Sequence, residues 1–315
     1  MRILITGGLG YLGGRLAQHL AQNGGDEIVL GSRREEGPPP WLAGGRVVAT
    51  PWQSLAGLVG ACAGVEVVVH LAGMTAQACG EDPVGALEAN AVATERLLRA
   101  AIQQRVQRFV YLSTAHVYGS PLAGVITETT CPDPVHPYAT SNRAGEDAVR
   151  SAQRRGEIEG LVVRLSNAYG PPAHKDAGCW TLLVNDLCRQ AVTTGRMALR
   201  SSGLQRRDLI PLTGACRAIH HLVDVPVSAL GGGVFNVGGE WSPTVWEVAE
   251  LVQQRCGPLL GSIPALSRVP QVESEEPGPA LDYRLDALRQ SGYHPDADKE
   301  TEIDGLLTSC RAWFG

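Results

Sequence analysis

The chain has 315 residues, a net charge of −5, 44% hydrophobic residues and 19% charged ones. That length suits one large domain or two modest ones, and the composition is that of a globular protein, not a disordered one. The acidic balance, with no basic patch interleaved with aromatics, argues against nucleic acid as a partner, and no apolar run is long enough for a membrane span.

Arg2 to Ile5 is a short apolar run that reads as a buried strand. Because it begins at residue 2, no secretion signal is expected. The eight cysteines (62, 79, 131, 179, 188, 216, 256 and 310) include no Cys-x-x-Cys pair. They read as reduced thiols of a cytoplasmic protein, with no metal site expected. After the strand come Gly7, Gly10 and Gly13, and from Leu12 an apolar period of four (Leu12, Leu16, Leu20) marks a helix. Glycines there let a ligand approach the backbone. The helix start at Tyr11, Leu12 and Gly13 offers free N–H groups and a positive dipole end to a pyrophosphate. The spacing Gly-x-x-Gly-x-x-Gly after Thr6 resembles the extended, nucleotide-sugar-modifying branch of the short-chain dehydrogenase/reductase superfamily.

Glu27 to Leu30 reads as the second strand, followed by Gly31, Ser32, Arg33 and Arg34. In a dinucleotide fold an acid at this place accepts from the ribose hydroxyl of NAD, whereas arginine accommodates the 2′-phosphate of NADP. Glycine in place of the acid, with two arginines beyond, favours NADP over NAD. Arg46 to Ala49 reads as a third strand and Val65 to Leu71 as a fourth, ending in Leu71-Ala72-Gly73. This ending resembles the family's His-Leu-Ala-Ala, which passes under the cofactor; His70 itself reads as a hydrogen-bonded core histidine. Asn90 to Leu98 resembles the family's Asn-x-x-Gly-Thr-x-x-Leu-Leu helix. Arg108 to Leu112 and Leu161 to Leu165 are the fifth and sixth strands. Strands and helices alternating at this spacing imply an α/β fold, a doubly wound parallel (Rossmann-like) sheet with ligands at the carboxyl ends of its strands.

Ser113-Thr114-Ala115-His116-Val117-Tyr118-Gly119 resembles the family's Ser-Ser/Thr-x-x-Val-Tyr-Gly. The resemblance implies that Thr114 bonds the reacting sugar oxygen, with Ser113 beside it; His116 is a substrate-side candidate, as an acid or base near neutral pH or as a buried structural histidine. Relatives that eliminate water have Asp and Glu where this chain has Ala115 and His116, which disfavours a 4,6-dehydratase. Pro137-Tyr138-Ala139-Thr140-Ser141-Asn142 resembles the family's Pro-Tyr-x-x-Ser-Lys. It implies that Tyr138 moves the proton and that position 142, one helical turn on, holds the nicotinamide ribose. Here Asn142 replaces the lysine whose charge lowers the tyrosine pKa. Arg143, next in sequence, lies about 100° around the helix.

Arg164 to Pro171 resembles Arg-x-x-Asn-x-Tyr-Gly-Pro, which assigns Asn167 to the substrate diphosphate; His174, in the following loop, is a candidate to face the sugar. Thr181 to Thr194 reads as a helix over the pocket. Arg206 to Leu212 resembles the segment whose arginine, here Arg207, contacts the diphosphate. Gly233 to Gly238 resembles the strand that returns to the sheet; Ser242 is the expected cap of a helix over Val245 to Arg255, and Pro258 to Pro279 reads as mostly loop. The family's second diphosphate arginine falls at Leu281, with Arg268 and Arg284 nearby. The expected organisation is residues 1–166 for the dinucleotide, joined by the strand near 233–238, and 167–315 as mainly a smaller α/β substrate-binding lobe. The implied function is an NAD(P)-dependent epimerase or 4-keto-sugar oxidoreductase acting on a nucleotide-linked sugar, as a homodimer. The alternative is a non-catalytic dinucleotide-binding scaffold or sensor that has lost the lysine.

Overall fold

The computed structural model describes residues 1–23, 25–34, 37–269 and 278–315. Seven parallel strands form one sheet in the order Val234–Val237, Glu159–Leu165, Arg108–Thr114, Val67–His70, Arg2–Thr6, Glu27–Ser32, Arg46–Ala49. The order reverses direction at Arg2–Thr6, the switch point at which doubly wound sheets open a crevice. Near-continuous Val, Ile and Leu in Arg2–Thr6 and Val67–His70 fit strands covered on both faces.

One face packs Ile3, Ile5 and Val69 against Leu16 and Leu20 of helix Tyr11–Asn23 and Ile219 and Leu222 of helix Leu212–Asp224. The other packs Leu4, Val68 and Phe109 against Leu97 and Leu98 of helix Ala93–Gln103 and Val149 of helix Pro137–Arg154. A third cluster joins Leu187, Val248, Val252, Ile303 and Leu306. Its helices are Leu183–Thr194, Val245–Leu260 and Lys299–Phe314.

Most strand ends differ from expectation by one or two residues, where hydrogen bonds fray. Larger corrections concern the second half. The cap of helix Val245–Leu260 is Thr244, not Ser242: its hydroxyl accepts from Glu247 N–H while the Glu247 carboxylate accepts from Thr244 N–H. This reciprocal box satisfies two orphan donors, which a serine two residues earlier cannot reach. The helix also continues through Pro258 and stops at Gly261, which adopts φ +74. Ala265–Arg268 then pairs in parallel with Arg196–Leu199. The expected loop is therefore partly helix and strand, and residues 270–277 lie outside the described part of the chain.

Candidate active site

A cleft of about 500 Å³ opens at the carboxyl ends of the strands. The glycine-rich turn forms its floor. Gly7 takes φ +68, and a Cβ there would come 2.9 Å from Ala72 N, so the first and fourth strand ends meet only because the residue is glycine. A Cβ on Gly13 would sit 2.2 Å from Gly7 O, whereas one on Gly10 meets only Gly7 O, at 3.1 Å, and is otherwise open. The first helical bond runs from Gly14 N–H to Gly10 O. Tyr11, Leu12 and Gly13 N–H groups thus have no acceptor within the helix. All three residues line the cleft beside Gly7, Gly10, Leu71, Ala72 and Gly73. Helix-start donors without an intrahelical acceptor, next to a cradle that a Cβ would fill, suit a dinucleotide pyrophosphate. Gly13→Ala is accordingly expected to push the helix off the turn and abolish dinucleotide binding, read by calorimetry with NAD and NADP.

The opposite side carries Thr114, His116, Tyr138, Asn142, Asn167 and Arg207. Thr114 ends its strand, and its hydroxyl accepts from His116 N–H at 3.2 Å, capping the short turn that follows. Tyr138 lies in the first turn of a helix begun by Pro137 and capped by His136, whose Nδ1 accepts from Tyr138 N–H. Burial raises the Tyr138 phenol above its ordinary pKa; a hydrogen bond with Thr114 pulls it partly back. Burial, followed by the charges of Arg207 and His136, holds His116 below its usual value, so its imidazole is neutral near pH 7.

Asn142 reaches the cleft wall, but both ends of its amide are committed. Nδ2 donates to the Tyr138 carbonyl at 2.8 Å, and Oδ1 accepts from the Tyr111 hydroxyl at 3.1 Å. Arg143 is turned to Glu146 and Asp147, so it brings no charge to the phenol. Arg207 side-chain nitrogens have no hydrogen-bond or ionic partner among the described residues, which leaves a free cation facing the cleft. Asn167 Nδ2 donates to Asp208 O at 2.9 Å, bracing the strand next to that arginine.

Several candidates lie elsewhere. Ser113 is buried and donates to Glu146 Oε1 at 2.6 Å, because alternate strand residues face opposite sides. His174 bonds the Leu9 carbonyl at 2.9 Å and stacks on Trp41, behind the turn. Ser32 ends the second strand, where its hydroxyl accepts from Arg34 N–H; Arg33 and Arg34 are exposed there, beyond the lining of this cleft. Arg268 lies over the Trp246 ring and Arg284 pairs with Asp282, so neither supplies a second cation. His70 is a core residue, 2.6 Å from the Thr6 hydroxyl and 3.0 Å from that of Thr94.

Sequence reading passed over Asn90, which accepts from Met74 N–H at 2.8 Å and donates to Ser141 at 2.9 Å. It joins the loop after the fourth strand to the helix bearing Tyr138. Its signal was the Asn90-to-Leu98 stretch itself.

A family model described as "NAD dependent epimerase/dehydratase family" matches residues 3–238. The chain belongs to that family. Among relatives of this epimerase/dehydratase, the dTDP-glucose 4,6-dehydratase of Streptomyces niveus is 26% identical, over 100% of this chain and 95% of its own. An uncharacterized UDP-glucose epimerase of Bacillus subtilis is 27% identical over 82% and 83%. Among solved structures, MoeE5 in complex with UDP-glucuronic acid and NAD superposes with TM-score 0.80 at 25% identity, covering 99% of both chains. TunA, an NAD dependent NDP-hexosamine 5,6-dehydratase, gives 0.79 at 26% over 99% and 98%. The protein is thus an enzyme of the nucleotide-sugar epimerase and oxidoreductase kind, and nothing in these relatives favours a non-catalytic scaffold. Among the described residues no helix is long and apolar enough to cross a membrane, and no cluster suits a metal ion.

Proposed function

We propose that the protein transfers hydride at C4 of a nucleotide-linked sugar, as an epimerase or 4-keto-sugar reductase. The observation that carries this reading is the meeting of Thr114 and Tyr138 in the cleft floored by the glycine-rich turn. A bound nicotinamide dinucleotide supplies or accepts the hydride. Tyr138 gives its phenolic proton to the C4 oxygen in reduction and takes it back in oxidation. Thr114 donates to the same oxygen and polarises it. Arg207, without a partner among the described residues, holds the diphosphate; Asn167 and His116 border the sugar, and His116 stays neutral beside that cation. With Ala115 where an acid is needed, a 4,6-elimination lacks its proton donor.

Arg33 and Arg34, after Gly31, support NADP(H), with NAD the alternative carried by the neighbouring structures. Residues 1–166 with the strand near 233–238 hold the dinucleotide, and 167–315 mainly the sugar nucleotide. The eight free cysteines, seven of them buried, suit the cytoplasm, and a homodimer is the expected assembly.

The first experiment is to denature freshly purified protein and identify any released dinucleotide by mass spectrometry, then to assay UDP- and dTDP-linked hexoses and their 4-keto forms. Retained NAD supports an epimerase. NADP, or an empty site preferring NADPH, supports a reductase. Failure to bind either dinucleotide would overturn both readings.

Two further outcomes arise from the site. Arg207→Gln removes one charged hydrogen-bonding group, worth about 1.5–3 kcal/mol. Nucleoside diphosphate affinity should fall roughly 10- to 150-fold, with dinucleotide affinity unchanged, by calorimetry. Asn142→Lys places a cation one turn from Tyr138, which favours the phenolate and lowers the phenol pKa by about 1–3 units. The limb of the oxidation rate that rises with pH should therefore move to lower pH; an unmoved profile would exclude Tyr138 as the titrating base.

A further inference from the structure

Four successive contacts join the dinucleotide turn to the segment Gly170–His174. His174 Nε2 donates to the Leu9 carbonyl at 2.9 Å, a tautomer set by an acceptor-only partner. The Tyr11 hydroxyl donates to Gly170 O at 3.1 Å. Ala173 packs on Gly14, where any added Cβ would come within 2.9 Å of its own. Arg15 Nη1 donates to Pro171 O at 2.8 Å. The segment connects two parts of the substrate-side wall, Asn167–Tyr169 before it and Thr181–Val184 after it, and both line the cleft. It has little freedom to slide. Gly170 is held at φ +145, where a Cβ would be 2.1 Å from Glu302 Oε1, and buried Asn185 bonds its carbonyl at 3.0 Å.

We propose that Tyr11, Arg15 and His174 are positioning residues that strap the substrate-side wall to the dinucleotide turn, so that filling either half of the cleft tightens binding in the other. The proposal rests on the function inferred above. Tyr11 connects both sides directly: its residue opens the helix whose N–H groups face the pyrophosphate, and its hydroxyl anchors the strap. A dinucleotide that orders Tyr11 to Gly13 also orders the anchors of residues 170–174, and with them the wall. Linkage makes the effect reciprocal.

The test uses the whole chain, with UDP and dTDP as probes for one half and NAD and NADP for the other. Calorimetry on the wild type is expected to show a nucleoside diphosphate binding about fivefold or more tightly when the preferred dinucleotide is saturating. Arg15→Met combined with His174→Phe, both outside the cleft lining, keeps the ring on Trp41 and removes two of the bonds. That variant should bind each ligand alone within about twofold of wild type, with the coupling factor falling to about one. Hydrogen exchange over residues 170–184 should slow on adding dinucleotide to the wild type and not to the variant. Should the double variant misfold, His174→Phe alone, which keeps a ring on Trp41 and loses the bond to Leu9, carries the same comparison. Coupling that persists in a folded variant, or wild type that binds both ligands independently, overturns the strap while leaving the proposed function standing. Wild type that binds dinucleotide but no nucleoside diphosphate overturns both.

Discussion

Tyr138→Phe is expected to lower turnover by about two to four powers of ten while leaving dinucleotide binding unchanged. That range is what a positioned proton-transfer group contributes. The substitution isolates the hydroxyl because the backbone of Tyr138 is held by other means. Its N–H donates to His136 Nδ1, and its carbonyl accepts from Ser141 Oγ at 3.1 Å and Asn142 Nδ2 at 2.8 Å. The ring stays in the cleft wall and the helix start is untouched. Because burial raises the phenol pKa, and neither Asn142 nor Arg143 supplies a charge to lower it, Tyr138 is protonated at neutral pH. It is then ready as an acid and poor as a base, so the wild-type oxidation rate should rise with pH beyond neutrality while reduction holds its rate. Initial rates in both directions across pH, with retained dinucleotide measured in parallel, check the prediction. A phenylalanine variant that turns over normally would remove Tyr138 from the chemistry.

Glu146→Ala is expected to cost about 3–5 kcal/mol of stability, the penalty of leaving a buried charge without its partner. That is a large share of the roughly 5–15 kcal/mol that holds a typical domain folded. Glu146 is fully buried and Arg164 is 2% exposed. Arg164 donates to both carboxylate oxygens, at 2.9 and 2.6 Å, and Ser113 donates to Oε1 at 2.6 Å. The carboxylate thus ties together the ends of two neighbouring strands and the helix bearing Tyr138, directly behind Thr114. Removing it strands the Arg164 guanidinium, whose remaining close partner is the face of the Tyr118 ring at 4.7 Å. Urea denaturation measures the loss. Glu146→Leu with Arg164→Met, which removes both charges, should recover much of it, since replacing a whole buried pair by apolar groups is often close to neutral. A double variant no more stable than Glu146→Ala would show that packing, not charge, is what Glu146 supplies.

The sequence by itself determined the succession of the central-sheet strands along the chain and the place of the cleft. Glycines at 7, 10 and 13 permit one kind of turn because backbone sterics forbid a side chain there, and β-branched runs declare strands covered on both faces. Such constraints act within a few residues and are legible there. Local reading was weaker where two partners compete over a short distance: Thr244 outbids Ser242 as a cap only because Glu247 reciprocates. Tertiary structure alone decided the direction in which polar side chains point. Ser113 and Thr114 look interchangeable along the chain, yet strand alternation gives one to Glu146 and the other to the cleft. Asn142 keeps the family position, yet Tyr111, thirty-one residues away, claims its amide oxygen. His174 follows the substrate motif, yet the carbonyl of Leu9 holds it behind the turn. Each of these outcomes depends on a hydrogen-bond partner distant in sequence, which no local spacing encodes.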